Sequence, residues 1–324
     1  MPGKRRFEEQ LAALDQLRHR PPQELIGPLR KALTHRNNYI VAKAADLVRE
    51  SRLAELIPAL LSAFDRFFTD PLKTDPQCWA KNSLSRALAA LEFQEAAVFL
   101  RGMRHVQPEP VWGGQSDTAG ALRATCALAL VQCRGLPLTD LLTHLIDLFA
   151  DKDKTVRVEA IRAVTQVGTT SAAHLLRLRA VLGKDEPEVL GACYCGILSI
   201  EGRAAIPWIG RFLATADDTA AEAVLAIAAD RSPEAFTALR DRFLEEHDRW
   251  FQQVLLSAIG LTRQKAALDL LLRLVRPESP HAEAAIEAIL RSMPSAEIIR
   301  QLESLVSGHP RLARAFAAYR TSSS

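Results

Sequence analysis

The sequence predicts an all-α protein, a right-handed α-solenoid of about eight to nine stacked helical hairpins in one α-α superhelix. Three observations predict it. Apolar residues recur at helical spacing along almost the whole chain. The helical segments come in pairs with a repeat of about 30 residues. The breaks between them carry proline, glycine and capping side chains, with no strand-like alternation around Asn-Gly or Asp-Gly turns.

Taken in order, residues 7–20 read as a capping helix and residues 24–320 as repeats within a single domain, 1–324; the last four residues, 321–324, read as a disordered tail. The clearest unit is 138–168. Leu141, Leu142, Leu145, Ile146 and Phe149 recur at helical spacing. Asp151-Lys-Asp153-Lys interrupts them, and Val156, Ala160, Ile161 and Val164 resume the period until Gly168. Neither amphipathic helix buries its apolar face alone. The pattern continues as 175–182 into 189–193, 206–213 into 219–223, 236–244 into 251–259, 268–275 into 281–289, and 298–306 into 311–319. Anchors on the second helices, Val156, Val189, Thr219, Phe251, His281 and Arg311, are separated by 33, 30, 32, 30 and 30 residues. Upstream, Val41, Trp79, Leu122 and Val156 give 38, 43 and 34, so the early repeats carry insertions.

The connections fit this division. Ser232-Pro233, Ser279-Pro280 and Asp185-Glu-Pro187 place a capping side chain before a proline in the first helical turn, where its missing N–H costs nothing. Gly308-His-Pro310 stops one helix and starts the next. Small residues, among them Ala44, Ala45, Ala160, Ala192, Ala220, Ala221, Ala284 and Ala285, mark the second helices and permit close helix contacts.

Composition narrows the class further. With 48% hydrophobic and 24% charged residues, the 324-residue chain has ample material for a core and is unlike a disordered polymer. The balance of 41 Lys+Arg against 38 Asp+Glu leaves +3, with 23 basic and 19 acidic residues through Thr170 and 18 and 19 after it. That is a faint footprint for a phosphate-binding surface. No uninterrupted apolar run reaches spanning length, and the charged, amphipathic start is unlike a secretion signal. An odd number of cysteines, five, fits reduced thiols and a cytoplasmic location.

Asp153-Lys-Thr-Val156-Arg157-Val-Glu-Ala160-Ile-Arg-Ala-Val resembles the D-x-x-V-R-x-x-A-x-x-A-L core of HEAT repeats, in the short form found in phycobilisome-lyase-like bacterial proteins. Weaker copies cover residues 24–319. The resemblance implies a scaffold or binding module. At the position of Arg157 the later repeats carry Leu190, Ala220, Gln252 and Ala282, so any basic ladder is confined to the first half.

Catalytic signatures are missing where each would have to stand. No histidine is followed by glutamate, and there is no G-x-S-x-G, G-x-G-x-x-G or glycine-lysine-Ser/Thr loop. The reading leans to a non-enzyme, leaves open a catalytic site assembled from distant residues, and expects no cofactor and no metal site. Cys126 and Cys133 share a helix face while Cys193 and Cys195 diverge; all are expected as buried structural thiols. His144 and His174 are expected at helix packing edges, Asp151, Asp153, Asp217 and Asp218 as turn and cap residues, and Phe64, Phe67 and Phe68 in the core.

One segment stands apart. The inserted loop 107–118, Gln107-Pro-Glu-Pro-Val-Trp112-Gly113-Gly114-Gln-Ser-Asp117-Thr, exceeds the usual connection between paired helices. Its prolines stiffen it, Trp112 is an interaction anchor, Gly113 and Gly114 free the backbone, and Ser116 or Asp117 can cap the next helix. Arg101, Arg104 and His105 precede it. Lys43, Lys81, Arg123 and Arg157, on four successive second helices, are candidates for a basic stripe beside it on the concave face. These residues are the expected site for a protein partner. The alternative is a nucleic-acid-binding protein related in fold to alkylpurine DNA glycosylases. A bilin-lyase-like activity, implied only by the repeat form, is a third.

Overall fold

The computed structural model describes residues 2–322. Among these, helices and their connections make up everything except one two-stranded hairpin, so the expected all-α class holds with that exception. The chain divides into two compact units, Met1–Val167 and Gly168–Ser324.

The first unit runs α1 (Pro2–Leu17), α2 (Pro22–Leu33), α3 (Asn38–Glu50), α4 (Ile57–Arg66), a short α5 (Pro71–Thr74), α6 (Trp79–Ala90), α7 (Ala96–Met103), β1 (Pro108–Val111), β2 (Gly114–Asp117), α8 (Gly120–Val131), α9 (Leu138–Asp147) and α10 (Lys154–Val167). Within it α3 packs on α6, α6 on α8 and α8 on α10, while α2, α4, α7 and α9 each cover one of those four. The anchors Val41, Trp79, Leu122 and Val156 all fall on this succession of helices, α3, α6, α8 and α10. The long early steps are filled by α4, α5 and their turns in one case, and by α7 and the hairpin in the other.

The second unit runs α11 (Thr170–Leu182), α12 (Pro187–Glu201), α13 (Ile206–Gly210, continued by a 3-10 segment Arg211–Thr215), α14 (Asp218–Asp230), α15 (Pro233–Glu245), α16 (Arg249–Leu261), α17 (Lys265–Leu274), α18 (Ala282–Arg291), α19 (Ala296–Val306) and α20 (Pro310–Ser322). Here α12, α14, α16, α18 and α20 pack each on the next, and α11, α13, α15, α17 and α19 each pair with the helix that follows. The stretch Pro187–Thr215 has the length and mean hydropathy, 1.4, of a membrane-crossing segment. It breaks at Gly202, where φ is +65, and half of its apolar window is buried inside the protein.

Side-chain caps mark six of the helix starts. Asn37, Thr169, Asp217, Ser232, Asp248 and Ser295 each accept a backbone N–H of the turn they cap. Two expected caps act differently. Ser279 bonds the N–H of His281, and Asp185 that of Glu186, so both shape the turn before the helix. Of the small-residue positions, Ala44, Ala45, Ala160, Ala220 and Ala285 are inaccessible to solvent, while Ala192, Ala221 and Ala284 are half-buried. Gly260 goes further, because a Cβ there would stand 2.7 Å from the carbonyl oxygen of Ala288 on the neighbouring helix.

Several expectations need correction. The N-terminal helix is α1, Pro2–Leu17, so it begins before residue 7 and ends before residue 20. Helix α20 extends through Ser322, taking in the first half of the expected tail; Ser323 and Ser324 lie outside the described residues. Cys195 is exposed while the other four cysteines are buried, because α12 turns its Cys193 face inward. His174 is also exposed, and Phe68 is only half-buried.

Candidate functional site

The segment expected as a loop is a β-hairpin. Pro108 pairs with Asp117, Glu109 with Ser116, Pro110 with Gln115 and Val111 with Gly114, closed by Trp112-Gly113. Gly113 takes φ +88, a left-handed value open to glycine without strain. The signal was in the sequence. Proline at every second residue, followed by Trp-Gly-Gly, is the pattern of a strand whose alternate N–H groups are not used, ending in a tight turn.

The base of the hairpin is locked by a buried polar network. Gln107, 1% exposed, donates from Nε2 to the carbonyl of Asp75 (2.9 Å) and to Glu109 (2.7 Å). Its Oε1 receives Lys81 Nζ at 3.0 Å, His105 Nε2 at 3.0 Å and the Cys78 thiol at 3.1 Å. An amide oxygen only accepts, so Nε2 of His105 carries the proton. Lys81 is inaccessible and also meets the Phe67 carbonyl (3.2 Å) and Asp75 (3.1 Å). The inaccessible Asp75 carboxylate accepts three further N–H groups, from Asn38 Nδ2 and the backbones of Ala80 and Lys81, at 2.9, 2.9 and 3.0 Å.

Glu109 reaches back from β1 to the strained turn before α6, where Gln77 and Cys78 take φ of +61 and +53. Its Oε1 accepts the Gln77 N–H (2.5 Å) and the Thr118 hydroxyl (2.7 Å). Burial opposes ionisation of Glu109, but the hydrogen bonds from Thr118, Gln107 and Gln77 and the charge of Lys81 outweigh it, holding the carboxyl below its ordinary value. For Cys78 burial prevails, and its thiol is pushed up to about 11.

A second ionic cluster holds the other strand. Arg123, 5% exposed, forks onto Asp151 (2.7 and 3.0 Å) and reaches Asp117 (2.6 Å) and the His105 carbonyl (3.0 Å). Asp117 also accepts the N–H groups of Gln107 and Ala119. Burial raises the Asp117 pKa, but those two N–H groups and Arg123 together hold it below the usual range. Asp117 therefore braces the hairpin and the turn into α8, whose own N-cap residue, Ala119, has no capping side chain.

The sequence-predicted basic residues separate into two groups. The expected exposed stripe is corrected: Lys81 and Arg123 are sealed in these networks, and Arg157, 9% exposed, donates to the Asp151 and Lys152 carbonyls at 2.6 and 3.2 Å. They brace the fold and present no cationic ladder to solvent. Lys43 is half-buried with Nζ 5.5 Å from the Tyr39 ring. Arg101 is exposed, stacked on Phe68 at 4.0 Å and paired with Asp65 at 2.6 Å. Arg104 is exposed and meets Nδ1 of His144 at 3.3 Å. His105 lies edge-on to Phe68 at 4.9 Å, and its pKa is lowered first by burial. Sequence reasoning missed Asn38 and Asp75, whose partners lie up to 38 residues away, and within 107–118 it gave no separate role to Gln107, Glu109 or Thr118.

What the networks carry is an apolar tip. Trp112 has full exposure, 104% of the reference, and Val111 is 49% exposed; Val106, before the base of the hairpin, is 60% exposed. Beside the hairpin runs a groove of about 910 Å³, lined by β2, by Pro108 of β1 and by residues between 147 and 153, with Met103, Val106 and Leu148 as its apolar part.

No protein-family model matches the chain, and no curated protein matches it. Among solved structures it is similar to the crystal structure of an engineered protein from a structural genomics consortium. That match has 17% identity over 97% of this chain and 94% of the other, with a TM-score of 0.35.

Proposed function

We propose that this chain is a non-catalytic scaffold built of HEAT-like helical pairs, and that it binds a protein partner through the hairpin 107–118. The observation that carries the reading is the contrast between the two ends of that hairpin. Its base is fastened by inaccessible, hydrogen-bonded groups, while Trp112 at its tip contacts solvent over its whole surface. A tryptophan held out on a preorganised support is the kind of anchor that dominates protein interfaces, because little ordering entropy is lost when it docks. Successive packing of second helices within each unit supports the solenoid architecture. The burial of Lys81, Arg123 and Arg157 argues against a phosphate-binding groove, since buried and neutralised cations release no counterions.

The test compares capture by the purified wild type and by Trp112→Ala from a native lysate, with and without nuclease, with far-UV circular dichroism to show equal folding. The expected result is a nuclease-resistant protein held by the wild type and lost by the variant. Equal capture by both would overturn the reading. Material that vanishes with nuclease would put the nucleic-acid alternative in its place.

A further inference from the structure

Only one edge of the hairpin is open to another strand. The backbone bond from Thr118 N–H to the Gln107 carbonyl, 3.0 Å, fixes which residues face inward. With the observed register, Gln107, Glu109 and Val111 direct their backbone groups toward β2, and residues 108 and 110 direct theirs outward. Both outward positions of β1 are proline. The outer edge of β1 therefore offers no N–H and is closed to pairing. On β2 the outward positions are Gln115 and Asp117, which retain both N–H and C=O. Three successive residues of β2, Gln115, Ser116 and Asp117, line the adjoining groove against Pro108 alone from β1, so the groove runs over one face of the hairpin and reaches the β2 edge.

We propose, building on the reading of the hairpin as the docking element, that the β2 edge receives an extended polypeptide segment of the partner as a third, antiparallel strand. Gln115 and Asp117 would each exchange two backbone bonds with it, and a four-residue stretch of about 13 Å covers the strand. One face of the segment would set an apolar side chain against Met103, Val106 and Leu148. The groove decides among occupants. It holds about 910 Å³, room for a few residues of one extended chain and not for the helices that the β2 strand of a second copy would bring with it. The charged lining is Asp117, Asp147, Asp151 and Asp153 against Arg104, Lys152 and Arg123, four carboxylates to three cations, which disfavours a polyphosphate strand.

The probe is a phage-displayed library of random ten-residue peptides panned on the full chain. Recovered sequences are synthesised and measured against wild type, Gln115→Pro, Gln115→Ala and Trp112→Ala. Proline at 115 removes an N–H that the hairpin does not use, and persisting protection of the Thr118 amide shows that the hairpin is intact. We expect binding about tenfold or more weaker for Gln115→Pro and within about twofold for Gln115→Ala. Peptides N-methylated at alternate residues should lose binding to the unaltered protein. The Gln115 and Asp117 amides should become protected from hydrogen exchange on binding. Recovery of no binders, equal affinity for Gln115→Pro with an intact hairpin, or unchanged exchange at both amides would overturn the proposal. Peptides that lose affinity with Trp112→Ala but tolerate both Gln115→Pro and N-methylation would leave the tip as the docking element and remove strand addition. Peptides sensitive to Gln115→Pro, alongside lysate capture indifferent to Trp112→Ala, would do the reverse.

Discussion

Replacing Lys81 by methionine tests whether the hairpin is held by the polar network beneath it. Methionine keeps most of the stem volume, so little cavity forms and the loss is chiefly that of the ammonium. That group is inaccessible and meets three acceptors: Asp75 at 3.1 Å, Gln107 at 3.0 Å and the Phe67 carbonyl at 3.2 Å. Removing one partner of a buried ion pair costs roughly 3–5 kcal/mol, because the other charge stays buried. Asp75 keeps three N–H donors and Gln107 Oε1 keeps two, which places the expected cost near the lower end, about 3 kcal/mol. Lys43→Met is the matched control from a related second-helix position. Its ammonium is half-buried over Tyr39 and should account for less than about 1 kcal/mol. Urea unfolding followed by circular dichroism gives both values, and hydrogen exchange at Thr118 reports the hairpin directly. A Lys81→Met cost below about 1 kcal/mol, or a larger one with Thr118 protection unchanged, would refute the claim that this network fixes the hairpin.

Other expectations follow from single contacts. Gly260→Ala should destabilise by about 1–3 kcal/mol, because its Cβ meets backbone 2.7 Å away that cannot swing aside; Gly308→Ala, with open space around it, is the control in the same thermal melt. Glu109 has a folded pKa below its ordinary value of about 4.3, so its contribution is complete above that value and is lost as pH falls through the depressed one. The urea-midpoint gap between wild type and Glu109→Gln should accordingly be constant above about pH 5 and shrink in acid; a gap unchanged to pH 3 would contradict it. Native iodoacetamide should modify Cys195 alone, read by peptide mass mapping. Cys126 and Cys193 are buried with thiols pushed up to about 12 by desolvation, and Cys78 and Cys133 are buried as well.

The pairing of helices was legible because it is written in local periodicity and in glycine and proline placement. Gly168, Ser232-Pro233 and Pro310 stand where helices end or begin. The site was half legible. Segment 107–118 announced itself by length and by Trp112, but its hairpin form lay in the alternation of Pro108 and Pro110, a strand signal without the usual Asn-Gly turn. Burial was the property least available from sequence. Lys43, Lys81, Arg123 and Arg157 looked equivalent by position, yet Lys81 and Arg123 are sealed by carboxylates at 75, 117 and 151 that the turns bring to them. No local pattern encodes that distinction, since it depends on insertions of different length in successive pairs.

The same comparison explains why the hairpin is anchored by polar groups and not by an apolar face. A four-residue strand pair buries too little area to fix its own register or direction, and a slip of one residue would exchange its two faces. Gln107 and Glu109 alternate with Pro108 and Pro110, so a slip would put prolines where Gln107 now meets Lys81 and Asp75, leaving buried charges without their bonds. The network thus selects one register through the cost of every other. Prolines occupy the outward positions in that register and not in one slipped by a single residue, so the device that sets the hairpin's direction also closes the β1 edge and leaves Gln115 and Asp117 on the open one.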